Sequence, residues 1–375
     1  MSDFYSSLFN PHSTCRMLRA DDEIVVYGAG NTGHIVLRVL SQQGLRPLAF
    51  IDEYAKNKAI EGVPVVTLSD ASLSRKATVI VAVFNRERNA RFSEIEDSLL
   101  SAGYSSVLSF EQFYLSCPHD FPETFFWLAD PRYLKDSLEE IREVDALWAD
   151  TRSREIYRSQ LLYRMTGDHH VLPDPISGCQ YLPKDVPLLP DPYRFVDIGA
   201  FDGDTLAALK QQRVRLESVA AFEPDMRNFQ ALVKRVHTQG PFAPQTFLFP
   251  CGVGRACALT DFSGGGLESS KAVGGGQIYG NGLKVPIVSL DDILVGFRPN
   301  YIKFDVEGFE EAALCGLRKT IEKERPMLAV SAYHRPEDLF SLPLLLSSWN
   351  YPADYYLRMH MEHAFDTVLY TVPRG

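Results

Sequence analysis

A chain of 375 residues is long enough for two to three domains, and its 45% hydrophobic and 23% charged content is that of an ordinary globular protein with sizeable cores. A formal net charge of −10 argues against a nucleic-acid partner, which needs a basic footprint. No run reaches the ~18 apolar residues of a membrane span, and the N-terminus lacks the basic start and apolar run of a signal peptide. The cysteines at 15, 117, 179, 251, 257 and 315 form no Cys-x-x-Cys pair. Neither a zinc knuckle nor a redox dithiol is signalled, and scattered thiols suit a reducing, cytoplasmic location.

In chain order, IVVY (24–27) reads as a buried strand, GAGNTG as a turn and HIVLRVLSQQG as an amphipathic helix. LAFID, ending in Asp52, VPVV and TVIVAVF (78–84) read as further strands, with FSEIEDSLLSAG a helix after them. Strand–helix alternation predicts a small parallel α/β domain over residues 1–115. Residues 116–190 predict a linker, helical through YLKDSLEEIREVDALWADTRSREIYRSQLLYRMTG and proline-rich and extended over 171–192.

A second α/β unit is predicted over 191–375. Its strands are RFVDIG, SVAAFEP, TFLFPCGVG, YIKFDVEG and MLAVSAYH, separated by helices DTLAALKQQ, MRNFQALVKRVHTQ and FEEAALCGLRKTIEKE. After helix DLFSLPLLLSSW, the closing strands YYLRMHM and DTVLYTV are joined by a short turn and should pair antiparallel. The glycine-rich stretch 263–282 interrupts the pattern and is read as a mobile lid.

The two units each begin with a glycine-rich turn between a strand and a helix, where a ligand can approach backbone closely. YGAGNTGH holds Gly28, Gly30 and Gly33 at dinucleotide spacing, contains no acid, and is followed by Asp52 at the next strand end. It suits a phosphate. VDIGAFDGDT holds Asp197, Asp202 and Asp204 around Gly199 and Gly203. Clustered carboxylates repel a diphosphate and attract a cation, such as the sulfonium and ammonium of S-adenosylmethionine. Glu223, ending the following strand, is placed to accept from ribose hydroxyls. The alternative for these acids is helix capping, which suits Asp204 best.

FVDIGAFDGDT, VAAFEPDMRNFQAL, VPIVSLDDIL, YIKFDVEGFEEAALCGL and ERPMLAVSAYHRPEDL together resemble the FkbM-type methyltransferases over roughly 180–375. GCQYLPKD and the helical block before it look like a longer subgroup of that family. The resemblance implies a class I methyltransferase fold, a Rossmann-like seven-stranded sheet with its last strand antiparallel. It implies methyl transfer from S-adenosylmethionine to a small-molecule acceptor, commonly a hydroxyl of a sugar or other secondary metabolite. It places the cofactor at Asp197, Gly199 and Glu223. With neighbouring loop positions, the candidate contacts are Asp197, Gly199, Ala200, Asp202, Gly203, Thr205, Glu223, Pro224, Gly252 and Asp305.

An alcohol acceptor must lose its proton. Asp305, Glu307 and His334 are the candidates for that chemistry, with His334 or Asp305 as base and Glu307 orienting it. A divalent metal on these three is a weaker alternative without clean ligand spacing, and no metal is expected. For His334 a surface or capping role ahead of Pro336 competes with catalysis.

The N-terminal block resembles the small Rossmann-like domains of nucleotide-sugar-modifying enzymes. That resemblance implies a nucleotide or nucleotide-sugar site at Gly28, Gly30, Gly33 and Asp52, with Arg86 and Arg88 near phosphate. The competing reading is a domain that packs or dimerises without ligand. Two other functions are weighed: a nucleotide-sugar sensor whose methyltransferase half is inactive, and an NAD-dependent oxidoreductase. The first is opposed by the intact Asp197, Glu223 and Asp305, the second by the lack of a hydride-transfer constellation.

Overall fold

The computed structural model of the protein describes residues 4–9, 17–70, 72–84, 91–121, 125–263, 271–272 and 283–374. The chain folds as two compact units. One contains residues 1–141, 155–175 and 361–365, the other 142–154, 176–360 and 366–375. Both take residues from the 116–190 stretch.

In the first unit, β1 (Ile24–Tyr27), β2 (Ala49–Ile51), β3 (Ala59–Ile60), β4 (Val63–Val66), β5 (Thr78–Val81) and β6 (Ser106–Ser109) form one sheet. Its order is β3-β4-β2-β1-β5-β6, parallel except for β3. Strands β2 and β5 are buried along their whole length, which is why they read as continuous apolar runs. Helix Asn31–Gln42 buries Val36, Leu37, Val39 and Leu40. Arg86 and Arg88 lie outside the described residues.

The second unit holds β7 (Tyr193–Ile198), β8 (Leu216–Phe222), β9 (Gln245–Phe249), β10 (Gly252–Val253), β11 (Ala258–Ser263), β12 (Lys271–Ala272), β13 (Leu283–Val288), β14 (Tyr301–Phe304), β15 (Met327–Ser331), β16 (Ala353–Met359) and β17 (Thr367–Pro373). Seven of these form a mixed sheet in the order β16-β17-β15-β14-β7-β8-β9. Strand β17 is antiparallel to both neighbours and is slotted between β15 and β16, so the expected reversed last strand is present. The core under this sheet includes Phe195, Val219, Tyr301, Ala329 and Tyr370.

Three features depart from the sequence reading. The run TFLFPCGVG is two strands, because Pro250 cannot donate to a ladder. Strand β9 stays in the main sheet, while β10 pairs with β13 in a separate four-stranded sheet, β10-β13-β11-β12. The single helix expected over FEEAALCGLRKTIEKE is two, Glu310–Cys315 and Arg318–Glu324. Gly316 stands between them, and a Cβ there would sit 2.0 Å from the Gly254 carbonyl oxygen. The proposed lid over 263–282 lies outside the described residues apart from Ser263, Lys271 and Ala272.

From Ile176 on, the proline-rich segment belongs to the second unit. Arg358, 1% exposed, bonds Asp150 at 2.6 Å and Asp185 at 2.8 Å. The Tyr301 hydroxyl donates to the Tyr181 carbonyl, which lodges Tyr181 in the core. No helix among the described residues is long and apolar enough to cross a membrane.

Candidate active site

The sheet order places β15, β14, β7 and β8 side by side and parallel. Their carboxyl ends therefore share one edge, the edge at which open α/β sheets bind ligands. His334, Asp305, Asp197 and Glu223 are all brought to it.

Asp197 is fully buried on β7, with Lys303 of β14 paired to it across the register. The Lys303 ammonium lies 3.0 Å from Asp197 Oδ1 and also donates to the Gly199 carbonyl. Burial pushes the Asp197 carboxyl up to about 6 despite the Lys303 charge. Its Oδ2 is buried without a hydrogen-bond partner among the described residues.

The loop after Asp197 makes a tight turn. Gly199 has φ +80°, and a Cβ on it would lie 1.8 Å from the Asp305 carbonyl oxygen. Glycine is thus needed to let the ends of β7 and β14 close together. The amides of Gly199 and Ala200 both donate to the Phe222 carbonyl, at 3.0 and 2.9 Å. Both amides are thus used inside the protein. Gly203, φ +85°, is the N-cap of helix Asp204–Gln211, and Asp204 is the first residue inside it. Thr205 is buried, its amide donating to Asp204 Oδ1 at 2.7 Å.

The loop acids are not an open anionic cluster. Arg235 pairs with Asp202 through its carboxylate and through the Asp202 carbonyl at 2.7 Å, and Lys303 pairs with Asp197. The charge argument from the loop alone is corrected accordingly: two cations from distant segments neutralise most of it. Phe201, at φ +49°, turns its amide onto Glu223 Oε2 at 2.9 Å, and the Asp225 amide donates to Oε1 at 2.8 Å. Glu223 is 5% exposed, and burial lifts its carboxyl to about 7 against those two donors. Pro224 flanks Gly252, whose Cβ position would fall 3.8 Å from Pro224 Cβ and 2.7 Å from Ile287 Cδ1.

On the other side of β7, Asp305 donates its amide to Ile198 and accepts from the Tyr181 hydroxyl at 3.1 Å through Oδ2. Its Oδ1 lies 3.5 Å from His334 Nε2, and Glu307 Oε2 is 3.8 Å from the same nitrogen. Glu307 sits at φ +53°, a left-handed conformation costly for a residue with a side chain and common at functional turns. His334 Nδ1 is 2.8 Å from Glu310 Oε1, and the His334 side chain is 1% exposed, so it is neither a surface nor a capping residue.

Burial works against a charged His334 ring, but the carboxylates of Glu310, Glu307 and Asp305 outweigh it and hold the ring up to about 10. A ring held in its charged form is a poor proton acceptor, which favours Asp305 of the two candidate bases. Among groups with ligand-type atoms, it is Asp305, Glu310 and His334 that converge within 4.8 Å, so Glu310 takes the place given to Glu307 in the weighed metal trio.

Three residues of the site were missed. Lys303 betrayed itself as the lone charge inside an otherwise apolar strand, since lysine is almost never fully buried unpaired. Tyr181 lies in GCQYLPKD. Glu310 gave no signal, because only the turn after β14 aims it at His334.

In the first unit, Gly28 has φ +101°, and a Cβ on Gly33 would meet the Gly28 carbonyl oxygen at 2.2 Å. Nothing lies within 4 Å of the Cβ position of Gly30. The Asp52 carboxylate accepts from the Ala29 amide at 2.9 Å and from the Tyr54 amide at 2.8 Å. The turn and the acid are therefore adjacent.

Residues 197–360, which span these strand ends, match the family model described as the Methyltransferase FkbM domain. This part of the chain is similar to the FkbM methyltransferase domain. A solved structure of methyltransferase FkbM from Methylobacillus flagellatus KT has the same fold, with a TM-score of 0.75 and 22% identity. The likeness covers 93% of this chain and 90% of that one. A search of curated proteins gave no match. The matched residues include Asp197, Glu223, Asp305, Glu307 and His334, which share one sheet edge.

Proposed function

We propose that the protein is an S-adenosylmethionine-dependent methyltransferase that methylates a hydroxyl of a small molecule, a sugar, nucleotide-sugar or related secondary metabolite. The observation that carries this reading is the convergence of Asp197, Glu223 and Asp305 at the ends of three adjacent strands in the region similar to the FkbM domain.

The residues present fit that cofactor. Asp197 Oδ2 is a buried acceptor without a partner among the described residues, and a buried polar atom left unpaired costs about 1–3 kcal/mol. The cofactor's ammonium would satisfy it. Each Glu223 oxygen uses one lone pair on a backbone amide and keeps another for a ribose hydroxyl. When bound, the cofactor supplies a methyl group on a sulfonium, which is already a good leaving group.

The chain's own task is then to align the acceptor and take its proton. Asp305 is the base in this reading. Its carboxylate is 16% exposed at the strand end, and Tyr181 fixes its orientation. His334 acts as a positioning residue whose Nε2 lies near the carboxylates of both Asp305 and Glu307. Glu310 holds that ring in place. Lys303 plays the same part for Asp197.

The test is calorimetric titration of the full chain with S-adenosylmethionine, followed by release of S-adenosylhomocysteine with a panel of sugars, nucleotide-sugars and hydroxylated metabolites. Asp305→Asn should lower turnover roughly 10²–10⁴-fold while the cofactor Kd changes less than about threefold. Absence of binding heat, or near-wild-type turnover in Asp305→Asn, refutes the reading.

A further inference from the structure

A second cluster lies in the first unit, apart from the strand ends of the candidate active site. Glu111 sits in helix Phe110–Ser116, His169 after helix Thr151–Thr166, and His363 in the loop between β16 and β17. All three are assigned to the same compact unit. Glu111 Oε1 is 2.7 Å from His363 Nδ1, and Glu111 Oε2 is 3.1 Å from His169 Nε2. The Tyr163 hydroxyl lies 2.6 Å from Glu111 Oε1 and 3.1 Å from His169 Nε2. The three side chains are 0%, 7% and 3% exposed.

We propose that Glu111, His169 and His363 bind a divalent transition metal, best zinc, in a closed structural site with Tyr163 at its fourth corner. Two imidazoles and a carboxylate are a donor set that zinc accepts. All three ligand atoms lie within 4.8 Å of one another. Neighbouring ligands on a tetrahedral zinc stand about 3.3 Å apart, given bonds of about 2.0–2.1 Å. The contacts of 2.6–3.1 Å around Glu111 need to open by about 0.2–0.7 Å, with the metal replacing the proton each ring directs at Glu111.

The surroundings are built to hold the rings. Phe92 stacks on His169, with centroids 4.5 Å apart at 23°, and Trp127 Nε1 donates to the His363 carbonyl at 3.2 Å. His363 and Ala364 occupy left-handed backbone at φ +59° and +60°, a conformation that non-glycine residues adopt at a cost. That backbone turns His363 Nδ1 toward Glu111. A Cβ on Gly167, just before His169, would lie 2.7 Å from the Gln112 amide nitrogen, so the segment bearing His169 is packed directly on the helix bearing Glu111. A metal here would fasten three sequence-distant segments together.

The test uses the full chain freed of metal by chelator and then titrated with Co²⁺ and with Zn²⁺. One tetrahedral Co²⁺ per chain, seen by its visible d–d absorption and displaced by Zn²⁺, is the expected result. Zn²⁺ in hundredfold excess over its Kd should raise Tm by roughly 5–11 °C. The signal should vanish in Glu111→Gln and His169→Gln and persist in Asp305→Asn, which separates this site from the Asp305–His334 cluster. Should either ligand variant fail to fold, the wild-type titration alone decides. No Co²⁺ absorption in wild type, or its survival in a folded His169→Gln, overturns the proposal.

Discussion

Replacing Gly199 by alanine probes the close approach of the ends of β7 and β14. The new Cβ would lie 1.8 Å from the Asp305 carbonyl oxygen, whereas real Cβ atoms essentially never come within 3.0 Å, so the ends of β7 and β14 must separate. Separation threatens the 3.0 Å bond from the Asp305 amide to the Ile198 carbonyl. A buried bond lost this way costs about 1–3 kcal/mol, and alanine at φ +80° adds roughly 1–2 kcal/mol. The expected destabilisation is about 3 kcal/mol or more, a fall in Tm of roughly 6–12 °C for a unit of this size. Gly296 supplies the control, because it has φ +84° and nothing within 4 Å of its Cβ position. Gly296→Ala should show the backbone cost alone, roughly 1–2 kcal/mol. Urea denaturation of both variants measures the difference. A Gly199→Ala loss no greater than that of Gly296→Ala would refute the claim that strand closure, rather than backbone freedom, requires this glycine.

Cofactor affinity should depend on pH. Burial raises the carboxyls of Glu223 to about 7 and Asp197 to about 6, and the ionised forms accept the cofactor's donors. S-adenosylmethionine Kd should therefore rise as pH falls from 8 through 7 to 5, by up to about tenfold per pH unit once a group is mostly protonated. Stability of the ligand-free protein runs the other way, since carboxyls raised in the fold favour it at low pH and lose that contribution as pH climbs through 6 to 7. A Kd flat from pH 5 to 8 contradicts the assignment. Arg358→Leu leaves Asp150 and Asp185 without their shared cation, and those carboxylates are 30% and 34% exposed. The loss should be about 3 kcal/mol, near the low end for a broken buried pair because water reaches both acids. Differential scanning calorimetry should then show a Tm lower by roughly 6–12 °C, and an unchanged Tm would remove Arg358 as the anchor of the proline-rich segment.

The family resemblance implied the seven-stranded sheet with its reversed last strand, while the residues by themselves determined the α/β class, the antiparallel pairing of the last two strands, and the strand ends at which Asp197, Glu223 and Asp305 stand. The latter three follow from local pattern, because hydrophobic period, glycine turns and acids at strand ends are written within a few residues of each other. Only the tertiary structure decided which charges are real. Arg235 and Lys303 come from other elements to neutralise Asp202 and Asp197. Glu310, Glu307 and Asp305 hold His334 in its charged form against the cost of burial. Gly316 breaks a helix that its own periodicity would continue, because the backbone at Gly254 occupies the space. Glu111, His169 and His363 meet from segments more than 50 and 190 residues apart. Charge state and ligand geometry depend on what burial places within a few ångströms, and that distance is set by the fold, not by separation along the chain.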